Sequence, residues 1–234
     1  MEPVALELCA DFGVLEPFQT ATTVSGQIEE LAHVVREQAS LPAMLIGHSW
    51  GAWLVYMLAA RHPDIAGKLV LVGSGPFEEC YAKGIMETRM KNLKEQDRLR
   101  LEKLLEALES SQAQDKNGLM EEFGSLMSKA DSYDPMPEFE ARTDCRFEVF
   151  DSVWPEAEKL RKSGELPRMG RQIACPVVAI HGSHDPHPAE GVKEPLSKVL
   201  QDFRFVLLDR CGHTPWVERF ARERFFELLR IEVV

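Results

Sequence analysis

The most restrictive feature of the chain is a five-residue turn, Gly47-His48-Ser49-Trp50-Gly51, between a strand-like segment and a helix-like segment. Residues 42–46 (PAMLI) form a short apolar run typical of a buried parallel strand, and residues 52–61 have a helix-forming, mostly apolar composition. Glycines flank the serine because side chains at those two positions are expected to collide with the strand and the helix. A serine held at such a strained turn is typical of a catalytic nucleophile, so serine-based hydrolysis is the first hypothesis.

Candidates for the acid and the base follow later in the chain, each directly after a strand-like run. Asp185 comes after residues 176–180 (PVVAI), and His213 comes after residues 203–208 (FRFVLL). The order serine, acid, histidine is the one expected when the nucleophile lies between a strand and a helix. The gap before Asp185 has room for a lid, and the gap before His213 has room for one helix and one strand.

Three motifs carry a resemblance to a known family: GHSWG at 47–51, HGSHDP at 181–186 and CGHTPW at 211–216. With these motifs the chain resembles the α/β-hydrolase superfamily, specifically the small serine hydrolases built like proline iminopeptidases and carboxylesterases. The resemblance runs from about Phe12 to the C-terminus, apart from Glu78 to Arg171. It implies an α/β-hydrolase fold with a mostly parallel sheet, helices on both faces and a site at the carboxyl ends of the strands.

The resemblance also implies roles for individual residues. Ser49 would be the nucleophile, His213 the general base, and Asp185 the group that orients the histidine and stabilises its charged form. The backbone N–H of Trp50 would be the first of two hydrogen-bond donors to the oxyanion. The implied substrate is a small acyl compound, cleaved through an acyl-serine intermediate without a metal or an organic cofactor.

Other residues near the motifs are candidates for binding substrate or for replacing a catalytic group. His48, Trp216 and Gly75 adjoin catalytic positions or a strand end, so each is a candidate for the substrate pocket. The weaker alternatives are Glu190 or Asp209 as the acid and Ser74 as the nucleophile. Histidines close to Asp185 raise the further alternative of a metal cluster: His181, His184 and His187. Their spacing matches no common zinc pattern, so no metal site is predicted.

The source of the second oxyanion donor is not evident from the sequence. In the resembled families it comes from a His-Gly or Gly-rich loop after an early strand, and residues 1–47 contain no such loop. One explanation is an N-terminally shortened chain whose sheet lacks an inner strand. The other is a complete chain whose donor comes from the loop Thr20 to Ser25, from Gly75 or from a partner subunit of a homodimer. The missing loop also leaves open a different function, that of a non-catalytic remnant with a ligand pocket.

Hydrophobic periodicity predicts the elements around these motifs. A helix is expected near 3–10, and another at 27–38 with Ser25 as its N-cap. Strands are expected near 12–17, 43–47, 68–73, 176–181 and 203–208, which is fewer than the eight of a complete fold. Residues 1–77 and 172–234 are expected to form the core, with 78–171 inserted as a helical lid. Within the insertion, helices are expected at 81–111 with a break at 93–96, at 118–129, and at 152–162 before Gly164.

Composition excludes several classes of function. The chain has 234 residues, of which 44% are apolar, enough for one α/β domain with a sizeable core. Its net charge of −11 argues against nucleic acid or an anionic membrane as a partner. No membrane-spanning run or signal peptide is evident. The five cysteines show no C-x-x-C spacing, which favours reduced thiols in a cytoplasmic protein.

Overall fold

The computed structural model describes residues 1–110, 114–137 and 146–233, and its centre is a four-stranded parallel sheet. The strands are β1 (Ala43–His48), β2 (Ala66–Val72), β3 (Val177–Gly182) and β4 (Phe203–Leu208), and they lie side by side in chain order. His48 is in register with Val72, and Gly182 with Leu208. The carboxyl ends of all four strands therefore meet at one edge of the sheet, as the resemblance implies.

Helices connect the strands, because a parallel connection needs a crossover. Their bounds are α1 (Glu2–Leu8), α2 (Val24–Gln38), α3 (Trp50–Arg61), α4 (Glu79–Ala82), α5 (Ile85–Asn92), α6 (Glu95–Glu109), α7 (Lys116–Ala130), α8 (Phe147–Lys162), α9 (Glu165–Arg168), α10 (Glu190–Ser197) and α11 (Arg222–Glu232). Short 3-10 turns lie at Met169–Gln172 and Pro215–Val217. None of the helices in the described ranges is both long enough and apolar enough to cross a membrane.

Apolar side chains on both faces of the sheet explain why its inner strands are almost uniformly hydrophobic. Along β2, Leu69 and Leu71 pack into one core with residues of α2 and α3. The alternate residues Val70 and Val72 pack into a second core with residues of α1 and α11. Successive side chains of a strand point to opposite faces, so the sheet lies between two helical layers. This arrangement confirms the expected α/β class.

The predicted strand at 12–17 does not form, and this prediction was wrong. Residues 13–20 have no regular secondary structure, and apolar side chains of the segment are exposed, including Phe12, Leu15 and Phe18. In the described part of the chain β1 is an edge strand, with β2 on one side and no strand on the other. A strand needs a neighbour for its backbone hydrogen bonds, and residues 12–15 do not pair with the free edge of β1, so their apolar pattern alone does not make a strand.

The start of α2 also differs from the sequence prediction. The N-cap is Thr23, whose hydroxyl accepts a hydrogen bond from the Gly26 N–H at 3.0 Å. Ser25 lies inside the first turn, and its hydroxyl accepts a hydrogen bond from Arg61 at 2.9 Å. Threonine and serine are both good N-caps. Thr23 is the cap here because it is the last residue before the helical backbone begins. The predicted helix near 3–10 is confirmed as α1.

Between β2 and β3 the chain forms the helices α4 to α9. The break expected near 93–96 falls between α5 and α6, at Leu93 and Lys94. The predicted helix end at Ser111 lies outside the described residues. Gly164 follows α8 with a φ of 69°, the left-handed conformation that a glycine adopts easily. Because this segment follows β2 and precedes β3, it starts near the carboxyl edge of the sheet and ends near the amino edge.

The described cysteines are free thiols, as the sequence predicts: Cys9, Cys80, Cys175 and Cys211. The fifth cysteine, Cys145, lies outside the described residues.

Candidate active site

The turn after β1 has the strained geometry expected for a nucleophile. Ser49 has a φ of 54°, one of two positive values among the described non-glycine residues. A Cβ atom at Gly47 would lie 2.2 Å from the Gly51 carbonyl oxygen, so only glycine fits there. A Cβ atom at Gly51 would meet nothing within 4 Å. The expected collision therefore explains Gly47, but for Gly51 the sequence argument was wrong.

The predicted acid and base lie in direct contact at the carboxyl edge of the sheet. Asp185 follows β3, and its Oδ2 lies 2.7 Å from Nδ1 of His213, which follows β4. The Asp185 side chain has an exposed fraction of 0%, so bulk water does not compete for this bond. A carboxylate in this place accepts a hydrogen bond from Nδ1–H and leaves Nε2 of the ring free to act as a base.

Electrostatics keep Asp185 ionised and stabilise the protonated form of His213, the form that arises once the histidine has accepted a proton. Burial opposes ionisation of Asp185, but the charge of His213 and hydrogen bonds from His187 and His213 hold its pKa well below the usual value. Burial alone would lower the pKa of His213. The Asp185 charge and hydrogen bond outweigh that effect, and the pKa of His213 is raised. Each group thus stabilises the charged form of the other.

Ser49 lies at the same edge as His213, although the two are not hydrogen-bonded in the described structure. The Ser49 N–H donates to the Val72 carbonyl at 3.0 Å. The neighbouring His48 ring lies 4.8 Å from the His213 ring, and its Nε2 is 3.0 Å from the His213 carbonyl oxygen. Catalytic hydrogen bonds are often long or poorly aligned before substrate binds, so the absence of this bond does not exclude the pair.

A buried carboxylate that the sequence did not single out anchors the His213 loop. Glu218 has an exposed fraction of 0% and accepts hydrogen bonds from three backbone N–H groups. The donors are those of Gly212 at 3.0 Å, Tyr133 at 2.8 Å and Asp134 at 2.8 Å. The His213 N–H also donates to the Asp131 carbonyl at 2.8 Å. No local sequence signal marks Glu218, because its partners are backbone groups far away in the chain.

A cavity of about 690 Å³ opens at Ser49 and has a mostly apolar lining with an aromatic wall. Its lining includes Ser49, Trp50, Gly75 and His187, together with several aromatic side chains. The aromatic ones are Phe18, Trp53, Phe123, Phe150 and Trp154. Such a volume is typical of small-molecule sites.

Of the three predicted pocket residues, Gly75 lines this cavity, and the other two pack behind His213. The Trp216 ring lies 4.7 Å from the His48 ring, and neither residue is among those that line the cavity. Burial lowers the pKa of His48 to about 3, so its ring is neutral. His48 therefore packs against His213, and Trp216 packs against His48.

The alternative catalytic residues lie in less suitable places. The Asp209 side chain is 88% exposed and faces Arg210 at 3.6 Å, and Glu190 is exposed at the start of α10. Ser74 is buried, and its hydroxyl donates to the Gly75 carbonyl at 3.1 Å.

Of the histidines weighed as a metal cluster, His184 lies apart, whereas His181 stays beside His187, with its Nε2 2.8 Å from the His187 carbonyl oxygen. His184 is exposed, with its ring 5.1 Å from that of Tyr133, whereas His181 is buried. A different group, Asp185, His187 and His213, has donor atoms within 4.8 Å of one another. Both of its imidazole Nδ1 atoms already lie 2.7 Å from carboxylate oxygens of Asp185. The hydrogen bonds to Asp185 thus explain why these three side chains lie close together.

Part of the loop suggested as a source of the second oxyanion donor is already engaged. Three of its backbone amides donate to acidic side chains: Thr20 and Ala21 to Glu30 at 2.8 and 3.3 Å, and Val24 to Glu156 at 2.8 Å. Gln19 precedes this loop and lines the cavity with Ser49 and Trp50.

A buried glutamine ties this loop to the turn that carries Ser49. Gln27 accepts a hydrogen bond from the Trp50 indole at 2.9 Å and donates to the Ala21 carbonyl at 3.0 Å. It is only 2% exposed, so both bonds are shielded from water. The loop is thereby held next to the residue that follows the nucleophile.

Comparison with known proteins agrees with the observed fold. A model of the alpha/beta hydrolase family matches residues 10–228. The chain is similar to the solved structure of VinJ, with a TM-score of 0.60 and 21% identity over 91% of this chain and 72% of that chain. It is also similar to the proline iminopeptidase of Mycobacterium smegmatis, with a TM-score of 0.54 and 16% identity over 91% of this chain and 71% of that chain.

A third similar structure is MGS-MChE2, an alpha/beta hydrolase enzyme from a lagoon-sediment metagenome. Its TM-score is 0.54, with 19% identity over 91% of this chain and 70% of that chain. A search of curated proteins returned no match. The structural likenesses, at these identities, concern the fold. Because the family model spans most of the sequence, the chain belongs to the alpha/beta hydrolase family.

Proposed function

We propose that this protein hydrolyses esters or related acyl compounds through an acyl intermediate on Ser49. The observation that carries the proposal is the 2.7 Å contact between buried Asp185 and His213, at the same sheet edge as the strained Ser49 turn. Membership of a hydrolase family supports the hydrolytic role. The acyl-serine route is inferred from the chemistry of these three residues.

In the proposed reaction, His213 acts first as a base and then as an acid. Ser49 Oγ attacks the acyl carbon while its proton moves to Nε2 of His213. The tetrahedral intermediate collapses, the bond to the leaving group breaks, and the leaving oxygen takes that proton from His213. A water molecule then attacks the acyl-serine ester by the same proton transfers, which releases the acid and restores Ser49.

The negative charge on the tetrahedral intermediate needs two hydrogen-bond donors. The first is the Trp50 N–H at the start of α3, where the positive end of the helix dipole adds to its effect. We assign the second to the side chain of Gln19, a residue that lines the cavity with Ser49 and whose amide has no hydrogen-bond partner among the described residues. This assignment gives a complete oxyanion site without the Gly-rich loop of the resembled families.

The cavity favours an apolar and flat group on the substrate. The Trp154 ring stacks on Trp53 at 6.2 Å with an angle of 2°, and on Phe150 at 5.9 Å with an angle of 13°. Aromatic surfaces bind flat apolar groups through the hydrophobic effect and offset stacking. The helical insertion contributes Trp154 and Phe150, so it acts as the lid that shapes the pocket and excludes water.

A non-catalytic role remains the second candidate, because Ser49 and His213 are not hydrogen-bonded in the described structure. The two functions are separated by turnover of p-nitrophenyl acetate and p-nitrophenyl benzoate by wild type and Ser49→Ala. We expect wild type to release p-nitrophenol, and Ser49→Ala to fall to the background rate of the buffer. Equal rates in the two proteins, or no turnover by a folded wild type, would favour the non-catalytic role.

A further inference from the structure

Asp185 binds a second histidine besides His213. Its Oδ1 lies 2.7 Å from Nδ1 of His187 and also accepts the backbone N–H of His187 at 3.0 Å. The rings of His187 and His213 lie 4.7 Å apart, one on each oxygen of the same buried carboxylate. Oδ2 of Asp185 therefore binds His213, whereas Oδ1 accepts two hydrogen bonds from His187.

The hydrogen-bond pattern defines which nitrogen of His187 carries its proton. Nε2 faces the Arg89 guanidinium at 3.5 Å, and since arginine can only donate, Nε2 is the acceptor. Nδ1 then carries the hydrogen, which it donates to Asp185. Arg89 is itself held by Asp131, with two contacts of 2.7 and 2.6 Å. The tautomer of His187 is thus fixed by an arginine of α5, a helix of the insertion.

This pattern argues against His187 as the base that activates Ser49. A base needs a free nitrogen, and both ring nitrogens of His187 have partners. His213 differs, since only its Nδ1 is engaged within the described residues. His187 and His213 thus bind the same carboxylate, but they differ in whether a ring nitrogen is left to act as a base.

We propose that His187 is a positioning residue that fixes the Asp185 carboxylate and limits how strongly it holds the proton of His213. The proposal rests on the proposed hydrolysis by Ser49. A hydrogen bond to Oδ1 disperses part of the negative charge of Asp185. Less charge then acts on His213 through Oδ2, and His213 releases its proton more easily as pH rises.

Charged and titratable groups on the surrounding elements set the background for this effect. His187 faces Asp185, His213 and Arg89, and burial lowers its pKa, so it is neutral at neutral pH. For His213, Asp185 and Asp131 favour the charged form, whereas Arg89 opposes it. His48, beside His213, is neutral. Removal of the His187 donor is therefore expected to raise the pKa of His213 further.

Two substitutions of similar shape separate this role from simple packing. His187→Leu removes the donor, whereas His187→Asn keeps an N–H close to the position of Nδ1. The measurement is kcat/KM for p-nitrophenyl acetate between pH 5 and 9, whose acidic limb reports the pKa of the base in the free enzyme. We expect His187→Leu to move the limb to higher pH, which lowers kcat/KM on the limb by about threefold to tenfold. We expect the limb of His187→Asn to stay at the wild-type position.

A second measurement keeps this test independent of turnover. The His213 ring is titrated by NMR in the Ser49→Ala background, with and without each His187 substitution. An upward shift of the His213 pKa in His187→Leu, without a shift in His187→Asn, supports the proposal even if the enzyme shows no activity. A lack of activity would count against the proposed function only. Identical titrations in all three proteins, or equal shifts in Leu and Asn variants, would overturn the role of His187.

Discussion

At the scale of single residues, the proposed chemistry depends most on Asp185. Its side chain is fully buried and accepts hydrogen bonds from His213, from the His187 ring and from the His187 backbone. An ionised carboxylate without such partners would be costly to bury. The hydrogen bonds that keep Asp185 charged also orient the His213 ring. The stability of the buried carboxylate and the proposed catalysis therefore depend on the same contacts.

Asp185→Asn is expected to lower kcat by roughly three to four orders of magnitude, because a neutral amide neither stabilises the imidazolium nor enforces the required tautomer. Ester hydrolysis by the purified variant measures this loss. Asp209→Asn, which changes an exposed carboxylate a few residues before His213, is the control and is expected to keep wild-type activity. A variant Asp185→Asn that retains a tenth or more of the activity would contradict the assignment.

Gln19→Leu tests the assigned oxyanion donor. Loss of one donor is expected to reduce kcat by about a hundredfold to a thousandfold with little change in KM, because the bond forms mainly in the transition state. Gln38→Leu, on the exposed end of α2, is the matched control. An unchanged kcat in Gln19→Leu would show that another group, such as the Gly75 N–H, stabilises the oxyanion.

The three central residues of the candidate site could be placed at the sheet edge from sequence, and the residues packed around them could not. Ser49, Asp185 and His213 each follow an apolar strand and occupy recognisable motifs. His187 and Glu218 act through contacts with distant backbone or lid groups, which no local pattern reveals. The positions of His48 and Trp216 behind His213 depend on side-chain packing, which sequence spacing does not specify.

At the scale of elements, the turn between β1 and α3 holds the nucleophile because two backbone segments approach too closely for a side chain. A Cβ atom at Gly47 would collide with the carbonyl oxygen of Gly51. Strands and helices were predictable where burial imposes a pattern, as in β2 and β3. The predicted strand at 12–17 failed because its formation depends on a neighbouring strand rather than on its own apolar residues.

Gly47→Ala and Gly51→Ala form a matched pair that tests this view of the turn. The first places a Cβ atom against backbone and is expected to cost about 1–3 kcal/mol of stability, as overpacking does. Such a loss lowers Tm by roughly 2–12 °C for a chain of this size. The second enters open space and should leave Tm within about 2 °C of wild type. Thermal melts of the two variants that coincide would contradict the account.

At the scale of the whole molecule, the site joins parts that are far apart in sequence. Turns and loops at the carboxyl edge of the sheet carry Ser49, Asp185 and His213, whereas the helical insertion supplies Arg89 and the aromatic residues Phe123, Phe150 and Trp154. In the proposed function, the three reacting side chains thus come from the core, and much of the substrate pocket comes from the insertion. Changes in the insertion are expected to alter which acyl group is accepted, with less effect on the proton transfers.

Trp154→Ala is expected to reduce kcat/KM for p-nitrophenyl benzoate by about threefold to tenfold, since an aromatic contact contributes roughly 0.5–1.5 kcal/mol. The acetyl ester is the internal control, because its small acyl group does not need the aromatic wall. Parallel rate measurements on the two esters give the ratio. An equal loss for both substrates would mean that Trp154 supports the fold rather than the pocket.

The central claim, that Ser49 is an activated nucleophile, is tested most directly by a fluorophosphonate probe and peptide mapping of the labelled residue. The account predicts a single covalent adduct on Ser49 in wild type, strongly slowed labelling in Asp185→Asn, and none in Ser49→Ala. A folded wild-type protein that stays unlabelled, or an adduct on a different serine, would contradict it.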